Sequence, residues 1–296
     1  MEKGGGVPLW IKEIIQETIR DDSAFAYSPT KGLLEAREFI SGMRRRESGV
    51  ALDPEDILFF NGLGDAISIV YTYLNHAARV IGPNPAYPTH SSAEAAHADA
   101  HYITYNLNPK RNWLPDLEDI RNKVKYNPAV AGILIINPDN PTGMVYPRRV
   151  LEEIADIARE YDLFLISDEI YANIHYGAER MVPLFEVIGT DVPAIVMRGL
   201  SKEVPWPGAR CGWIEVYNKK RDPMFARYIK TLLDAKQLEV CATTLPQKAL
   251  PKIMGDARYK EHGKEGARGN RVRNFSLRTG YHRAKTGRRV LYVGGV

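Results

Sequence analysis

Ala129-Val130-Ala131-Gly132-Ile133-Leu134-Ile135-Ile136, followed without a break by Asn137-Pro138-Asp139-Asn140-Pro141-Thr142-Gly143, is the stretch that decides the fold. Its first half has no polar side chain. A strand of that kind belongs in a sheet covered on both faces, because a strand with one wet face alternates apolar and polar residues. Its second half is a stiff turn. Pro141 biases Asn140 to an extended backbone, so the turn aims the Asn140 amide rigidly at the carboxyl end of the strand. A plain Pro/Asn/Gly turn is the alternative, although such a turn does not require so rigid a loop directly after a buried strand.

Outward from this stretch the pattern repeats. Residues 163–166, 194–197 and 214–217 read as further buried strands, as does Ile57-Leu58-Phe59-Phe60. Val80-Ile81-Gly82 is a short one, broken by Pro83-Asn84-Pro85. Helical spacing of apolar residues predicts helices over 10–20, 32–46 and 147–160, the last with proline in its first turn. A further helix opens at Asn61-Gly62-Leu63-Gly64-Asp65 and is expected to run to about His76. Strand, helix, strand alternation predicts an α/β domain with a largely parallel sheet. Ligands of such sheets bind beyond the carboxyl ends of strands. The segments after Ile136, Ile166 and Met197 all fall there.

Composition sets the bounds. The 296 residues are 44% hydrophobic and 26% charged, ordinary values for a globular chain. No apolar run nears the roughly 20 residues that span a bilayer. Two cysteines, Cys211 and Cys241, provide no disulfide framework, and the first residues lack the features of a signal peptide, so a cytoplasmic protein is expected. The net charge of +4 is uneven: residues 261–296 carry nine Lys/Arg against two Asp/Glu, and the rest of the chain is slightly acidic. That tail has no aromatic stacking pattern, so neither nucleic acid nor membrane is an expected partner. His97 and His101 share a helical spacing, but no carboxylate or cysteine joins them in a ligand pattern. They read as solvated, and no metal site is expected.

The chemistry gathers around Gly199-Leu200-Ser201-Lys202. A lysine amine in a turn after a buried strand can attack a carbonyl and form a Schiff base. Asp168 ends Leu163-Phe164-Leu165-Ile166-Ser167-Asp168, where a carboxylate can pair with a pyridinium nitrogen and keep it charged. An N-cap for a following helix is the commoner fate of such an aspartate. Tyr171 can offer its phenol, and Asn140 its amide, to a ring oxygen; Tyr171 can equally be a packed residue with its hydroxyl in water. Gly62-Leu63-Gly64 leaves backbone N–H groups free at a helix start, a phosphate site in principle. Arg210 supplies a guanidinium for the same phosphate, or else a structural salt bridge. Ser201 adds a hydroxyl, and Tyr87 a ring that can stack on a flat cofactor.

These separated elements, in this order, resemble the class I/II aminotransferases of the pyridoxal phosphate fold-type I superfamily. The likeness runs from about Trp10 to Tyr259, and Asn140, Asp168, Tyr171, Lys202 and Arg210 each fall on a position of the family motif. It implies a mostly parallel central sheet sandwiched by helices, with an incomplete small domain. It implies pyridoxal 5'-phosphate as cofactor, held by Lys202, which then shuttles the α-proton. Asp168 would pair with the pyridine nitrogen, and Asn140 and Tyr171 would contact the ring oxygen. Arg210, Ser201 and the amides of Leu63 and Gly64 would hold the phosphate, with Tyr87 stacked on the ring. Tyr27 resembles the tyrosine that reaches the phosphate of a neighbouring subunit, which implies a homodimer with shared sites. The chain departs from the family at Gly199, where many relatives have a serine, and in the stiff Pro205-Trp206-Pro207.

On this likeness, residues 1–22 are a remnant of an N-terminal segment, 23–255 the large cofactor-binding domain, and 256–296 a truncated or aberrant small-domain segment. Back-translated with one choice of codons and read one base later, residues 285–296 spell a string resembling the Gly-x-Phe-Tyr strand of the family's small domain. A frameshift origin of the tail is a hypothesis this string suggests, and the gene's nucleotide sequence tests it. The expected activity moves an amino group between an amino acid, of alanine or aspartate type, and a 2-oxo acid. A carbon–sulfur β-lyase using the same lysine, aspartate and tyrosine remains open, as does an inactive cofactor-binding fragment.

Overall fold

The computed structural model describes residues 6–174 and 180–259. The basic tail, with the frameshift reading placed on it, lies outside the described residues. Eight strands, β1 (Ile57–Phe60), β2 (Arg79–Asn84), β3 (Thr104–Asn108), β4 (Leu114–Pro115), β5 (Val130–Ile136), β6 (Phe164–Asp168), β7 (Ala194–Gly199) and β8 (Gly212–Tyr217), form one sheet. Their order is β1-β8-β7-β6-β5-β2-β3-β4. The central run from β3 through β2, β5 and β6 to β7 is parallel, whereas β8 is antiparallel to both β7 and β1. The expected mixed, mostly parallel α/β sheet is the one observed.

The apolar runs follow from what covers the sheet. Ile133, Ile135, Leu165, Val196 and Trp213 face one core, together with residues of α1 (Leu9–Thr18), α2 (Leu34–Ser48), α5 (Leu117–Lys125), α6 (Arg148–Glu160) and α9 (Thr244–Gly255). Leu134, Ile136, Ile166, Met197 and Ile214 face a second core with α3 (Leu63–Thr72) and α8 (Pro223–Lys236). Successive strand residues point to opposite faces. With helices on both faces, both sides of these strands are largely apolar, the buried Ser167, Arg198 and Glu215 being exceptions, and each buried Ile, Leu or Phe contributes about 1.5–3 kcal/mol. The remaining helices, α4 (Pro88–Ala98) and the single turn α7 (Leu200–Glu203), belong to the site.

Several boundaries differ from the sequence reading. Helix α3 stops at Thr72, not near His76, because the Asn75 side chain accepts the Ala77 N–H (2.9 Å) and Ala78 N–H turns back to the Asn75 carbonyl (2.8 Å). A local asparagine turn competes with helix at that point. Proline 147 is the N-cap of α6 and not its first helical residue. Strand β2 continues through Pro83 to Asn84.

Candidate active site

Register brings the chemistry to one end of the sheet. Ile136 of β5 lies beside Asp168 of β6, and Asp168 beside Met197 of β7. Asn137 N–H donates to the Asp168 carbonyl (3.0 Å), and Glu169 N–H donates to the Met197 carbonyl (2.9 Å). The Asn140 loop, the Asp168–Tyr171 segment and the Lys202 turn therefore leave neighbouring strands side by side. Because β8 runs antiparallel, its first residue, Gly212, pairs with Gly199 at the end of β7 and with Phe60 at the end of β1. That pairing returns Arg210 to the end where Lys202 lies, and Gly62-Leu63-Gly64 follows β1 into it.

Asp168 is 4% exposed. Its Oδ1 accepts the Ile170 N–H (3.1 Å), and its Oδ2 lies 3.0 Å from His90 Nε2. No α-helix of the described residues starts at Asp168, so it is no helix N-cap, and its carboxylate is fixed at both oxygens. His90 is fully buried in the first turn of α4, edge-on to Tyr71, and its Nδ1 has no partner among the described residues. The sequence reading missed His90. The available signal was its place three residues after Tyr87 at a proline-opened helix start, which puts both residues at one end of α4.

Lys202 and Ser201 are half-buried in α7, and Lys202 Nζ lies 5.8 Å from the centre of the Tyr171 ring. Gly199, just before them, has no room for a side chain. A Cβ there would sit 2.8 Å from the Cys211 carbonyl oxygen and 3.1 Å from Gly212 Cα. The β7–β8 pairing closes over that position, which accounts for glycine there. Burial raises the neighbouring Cys211 thiol to about 12, leaving it an inert core group.

An anion cradle faces this turn. Gly62 caps α3 at φ +89 with no side-chain cap, so the first N–H groups of the helix are open. Arg210, at φ +46, lays its guanidinium across Gly62: a Cβ on Gly62 would come within 2.1 Å of Arg210 Nη2. The guanidinium donates to the Asn61 and Pro207 carbonyls (3.2 Å each). It forms no ion pair among the described residues, so the alternative of a structural salt bridge is not what the structure has. An uncapped helix start beside an uncommitted guanidinium is a phosphate-binding arrangement.

The other expected residues fall around this centre. Asn140 is half-buried in the turn after β5, and Tyr87 is the part-exposed N-cap of α4. Tyr27 is 85% exposed, and its neighbours Ala26 and Ser28 are held by Thr244 and the Ala242 carbonyl. One expectation is overturned: His97 is not solvated. It is buried in the last turn of α4, stacked on His76 at 5.4 Å, with Nε2 3.0 Å from the Ala78 carbonyl. Helix α4 ends at Ala98, so His101 lies past it, exposed and off the helical face assumed for the pair.

A turn-borne lysine, a buried strand-end aspartate and an anion cradle thus lie at one end of one α/β sheet. The model of the family "Aminotransferase class I and II" matches residues 3–273, and the chain belongs to that family. It is 54% identical over 263 residues to "Uncharacterized aminotransferase MJ1479" of Methanocaldococcus jannaschii, covering 89% of this chain and 61% of that protein. It is 34% identical to "Glutamate-pyruvate aminotransferase AlaA" of Escherichia coli, over 82% of this chain and 59% of that one. An Escherichia coli aminotransferase crystal structure superimposes with a TM-score of 0.80 at 30% identity, covering 87% of this chain and 62% of its own. The chain thus spans about three-fifths of the length of these relatives. Among the described residues no helix is long and apolar enough to cross a membrane.

Proposed function

We propose that this chain is the cofactor-binding part of a pyridoxal phosphate-dependent aminotransferase that exchanges an amino group between an amino acid and a 2-oxo acid. The observation that carries the reading is one end of one sheet holding three groups: the Asp168 carboxylate clamped by His90, the Lys202 amine, and Arg210, with no carboxylate partner among the described residues, over the Gly62 helix start. The donor set fits pyridoxal phosphate end to end. A carboxylate suits its ring nitrogen, an amine its aldehyde, and a guanidinium with open amides its phosphate.

The cofactor, when bound, supplies an electron sink for the bond broken at the substrate's Cα. The rest is done by the chain. Asp168 would keep a proton on the ring nitrogen, with His90 holding Asp168 oriented. Asn140 and Tyr171 would serve the ring oxygen, and Tyr87 the face of the ring. Lys202 Nζ would hold the cofactor and would move the Cα proton. Arg210, Ser201 and the amides of Leu63 and Gly64 would hold the phosphate. The name of the AlaA relative favours alanine and glutamate as donors.

The same reading makes a homodimer the working unit. Phe25, Tyr27, Leu238 and Val240 are more than half exposed, and Thr30 Oγ1 ties their two segments together at the Val240 carbonyl (3.2 Å). An exposed apolar patch beside the site suits a second copy, with Tyr27 reaching the partner's phosphate. Sedimentation of the purified chain tests it: a dimer is expected, reduced to monomer by charges at Leu238 and Val240.

The first experiment is an absorbance titration with pyridoxal phosphate. A visible band that is absent in Lys202→Ala, and that shifts on adding alanine or glutamate, is the expected result. Pyruvate released from an amino acid without any 2-oxo acid acceptor would instead mark lyase chemistry. No lysine-dependent band would overturn the reading.

A further inference from the structure

Glu203 follows Lys202 and takes no part in the reading above, yet it is one of the most tightly engaged carboxylates near the site. It is 8% exposed. Its Oε2 accepts from Tyr259 OH (2.6 Å) and from Asn173 Nδ2 (3.0 Å), and Asn173 Nδ2 also donates to Tyr259 OH (3.1 Å). Three separate pieces of chain meet at this one oxygen: the Lys202 turn, the segment that follows Asp168 and Tyr171, and the helical turn at 257–259 beyond α9.

We propose that Glu203 is a positioning residue, a clasp that sets the Lys202 amine against Tyr171 and the ring site by tying α7 to Asn173 and Tyr259. The proposal rests on reading Lys202 as the cofactor lysine.

Two arguments support it. Helix α7 is four residues long. One turn has no stability of its own, since nucleation of a helix is unfavourable. Its placement is therefore set by tertiary anchors. On the N-terminal side these are the buried Leu200 side chain and the Leu200 N–H to Cys211 carbonyl bond (3.0 Å). On the C-terminal side, directly after Lys202, the polar anchor is Glu203. The second argument is chemical. Burying a carboxylate is costly unless all its lone pairs are satisfied. Glu203 Oε1 is buried with no hydrogen-bond partner among the described residues. A leucine would fill the space with no such penalty but would place nothing. The carboxylate gives direction: two donors, Asn173 from the segment that follows β6 and Tyr259 from the helical turn beyond α9, fix α7 between them.

The full chain is mixed with pyridoxal phosphate, quenched with borohydride at timed intervals, and the fraction reduced onto Lys202 is read by peptide mass spectrometry. Four chains are compared: wild type, Glu203→Ala, Glu203→Gln and Tyr259→Phe. Thermal melts fix a temperature at which all are folded. Labelling at Lys202 is expected to slow on the order of tenfold or more in Glu203→Ala and Tyr259→Phe, because small misplacements of a reacting group carry large rate penalties. Glu203→Gln keeps an oxygen that accepts from Tyr259 and is expected to stay within about fivefold of wild type. A purely structural residue would lower the melt and leave folded-state labelling unchanged. Wild-type labelling rates in folded Glu203→Ala and Tyr259→Phe would overturn the proposal alone. If Glu203→Ala does not fold, Tyr259→Phe decides by itself. A wild-type chain that labels nothing at Lys202 would sink the functional reading, and the proposal with it.

Discussion

Arg210 and Asp139 show how single residues set the behaviour of the site. Among the described residues Arg210 donates to backbone carbonyls and to no carboxylate, so its guanidinium is available to a phosphate. Arg210→Ala is expected to weaken pyridoxal phosphate binding by about 1.5–3 kcal/mol, the range for hydrogen bonds to charged groups. Pyridoxal without the phosphate should bind both chains alike, and a titration of each reads the difference. Asp139, next to Asn140, is buried, and burial raises its carboxyl to about 6 although Thr142 holds one oxygen. The ordinary value is about 3.9. The folded chain therefore holds this proton more tightly than the unfolded one. The contribution is fully present below about pH 4 and is lost as pH rises through about 6. Melting temperatures measured from pH 4 to 7 should carry that decline in wild type and lose it in Asp139→Asn. The residues legible in sequence were those whose neighbours in the chain announce them: Asn140 between prolines, Lys202 in its turn, Asp168 at a strand end. His90 was not legible, because its meaning lies in a contact 78 residues away.

At the scale of elements, the strands with both faces buried were read because each is a mostly apolar run, β8 included despite its buried Glu215. Strands β3 and β4 were not. In Thr104–Asn108 only Tyr105 and Leu107 turn inward, and Leu114–Pro115 is two residues long. Towards the β4 end of the sheet part of the side chains stay out of the core, and the apolar signal drops with them. Helix α5 was also missed, its start marked only by Asp116 accepting the Asp119 N–H (3.2 Å). The start of α3 makes the sharpest prediction here. A Gly62→Ala chain would carry a Cβ into the Arg210 guanidinium and a side chain at φ +89. The backbone penalty is about 1–2 kcal/mol. The guanidinium can move, but only off the helix start. The melt should fall modestly while phosphate-dependent affinity falls more steeply, in calorimetry on the same sample.

Across the whole molecule, the strand that shapes the site is also pinned by charge. Glu215 of β8 is fully buried and accepts from Arg44 Nε (2.8 Å) and Nη2 (2.7 Å), Trp213 Nε1 (2.9 Å) and Tyr217 OH (2.7 Å). Burial alone would raise its carboxyl, yet the Arg44 charge and hydrogen bonds bring it down to about 2. A depressed folded value contributes stability above the ordinary value of about 4.3, lost as pH falls through about 2. Denaturant melts between pH 5 and pH 2 should show that loss. Arg44→Met leaves Glu215 buried and unpaired, and is expected to cost about 3–5 kcal/mol; Glu215→Leu added to it should recover much of that. None of this network was visible beforehand, since Arg44 and Glu215 are 171 residues apart.

The antiparallel return of β8 has one more consequence. It puts the amine that would seize one end of the cofactor and the guanidinium that would seize the other on the same short connection, residues 202–210, fastened at both its ends by the Gly199–Gly212 pairing. That connection is a ruler. An analogue with one extra methylene between ring and phosphate is expected to bind more weakly, which a titration of both compounds checks. Lengthening residues 203–209 by a single glycine is expected to shift preference from pyridoxal phosphate towards the stretched analogue.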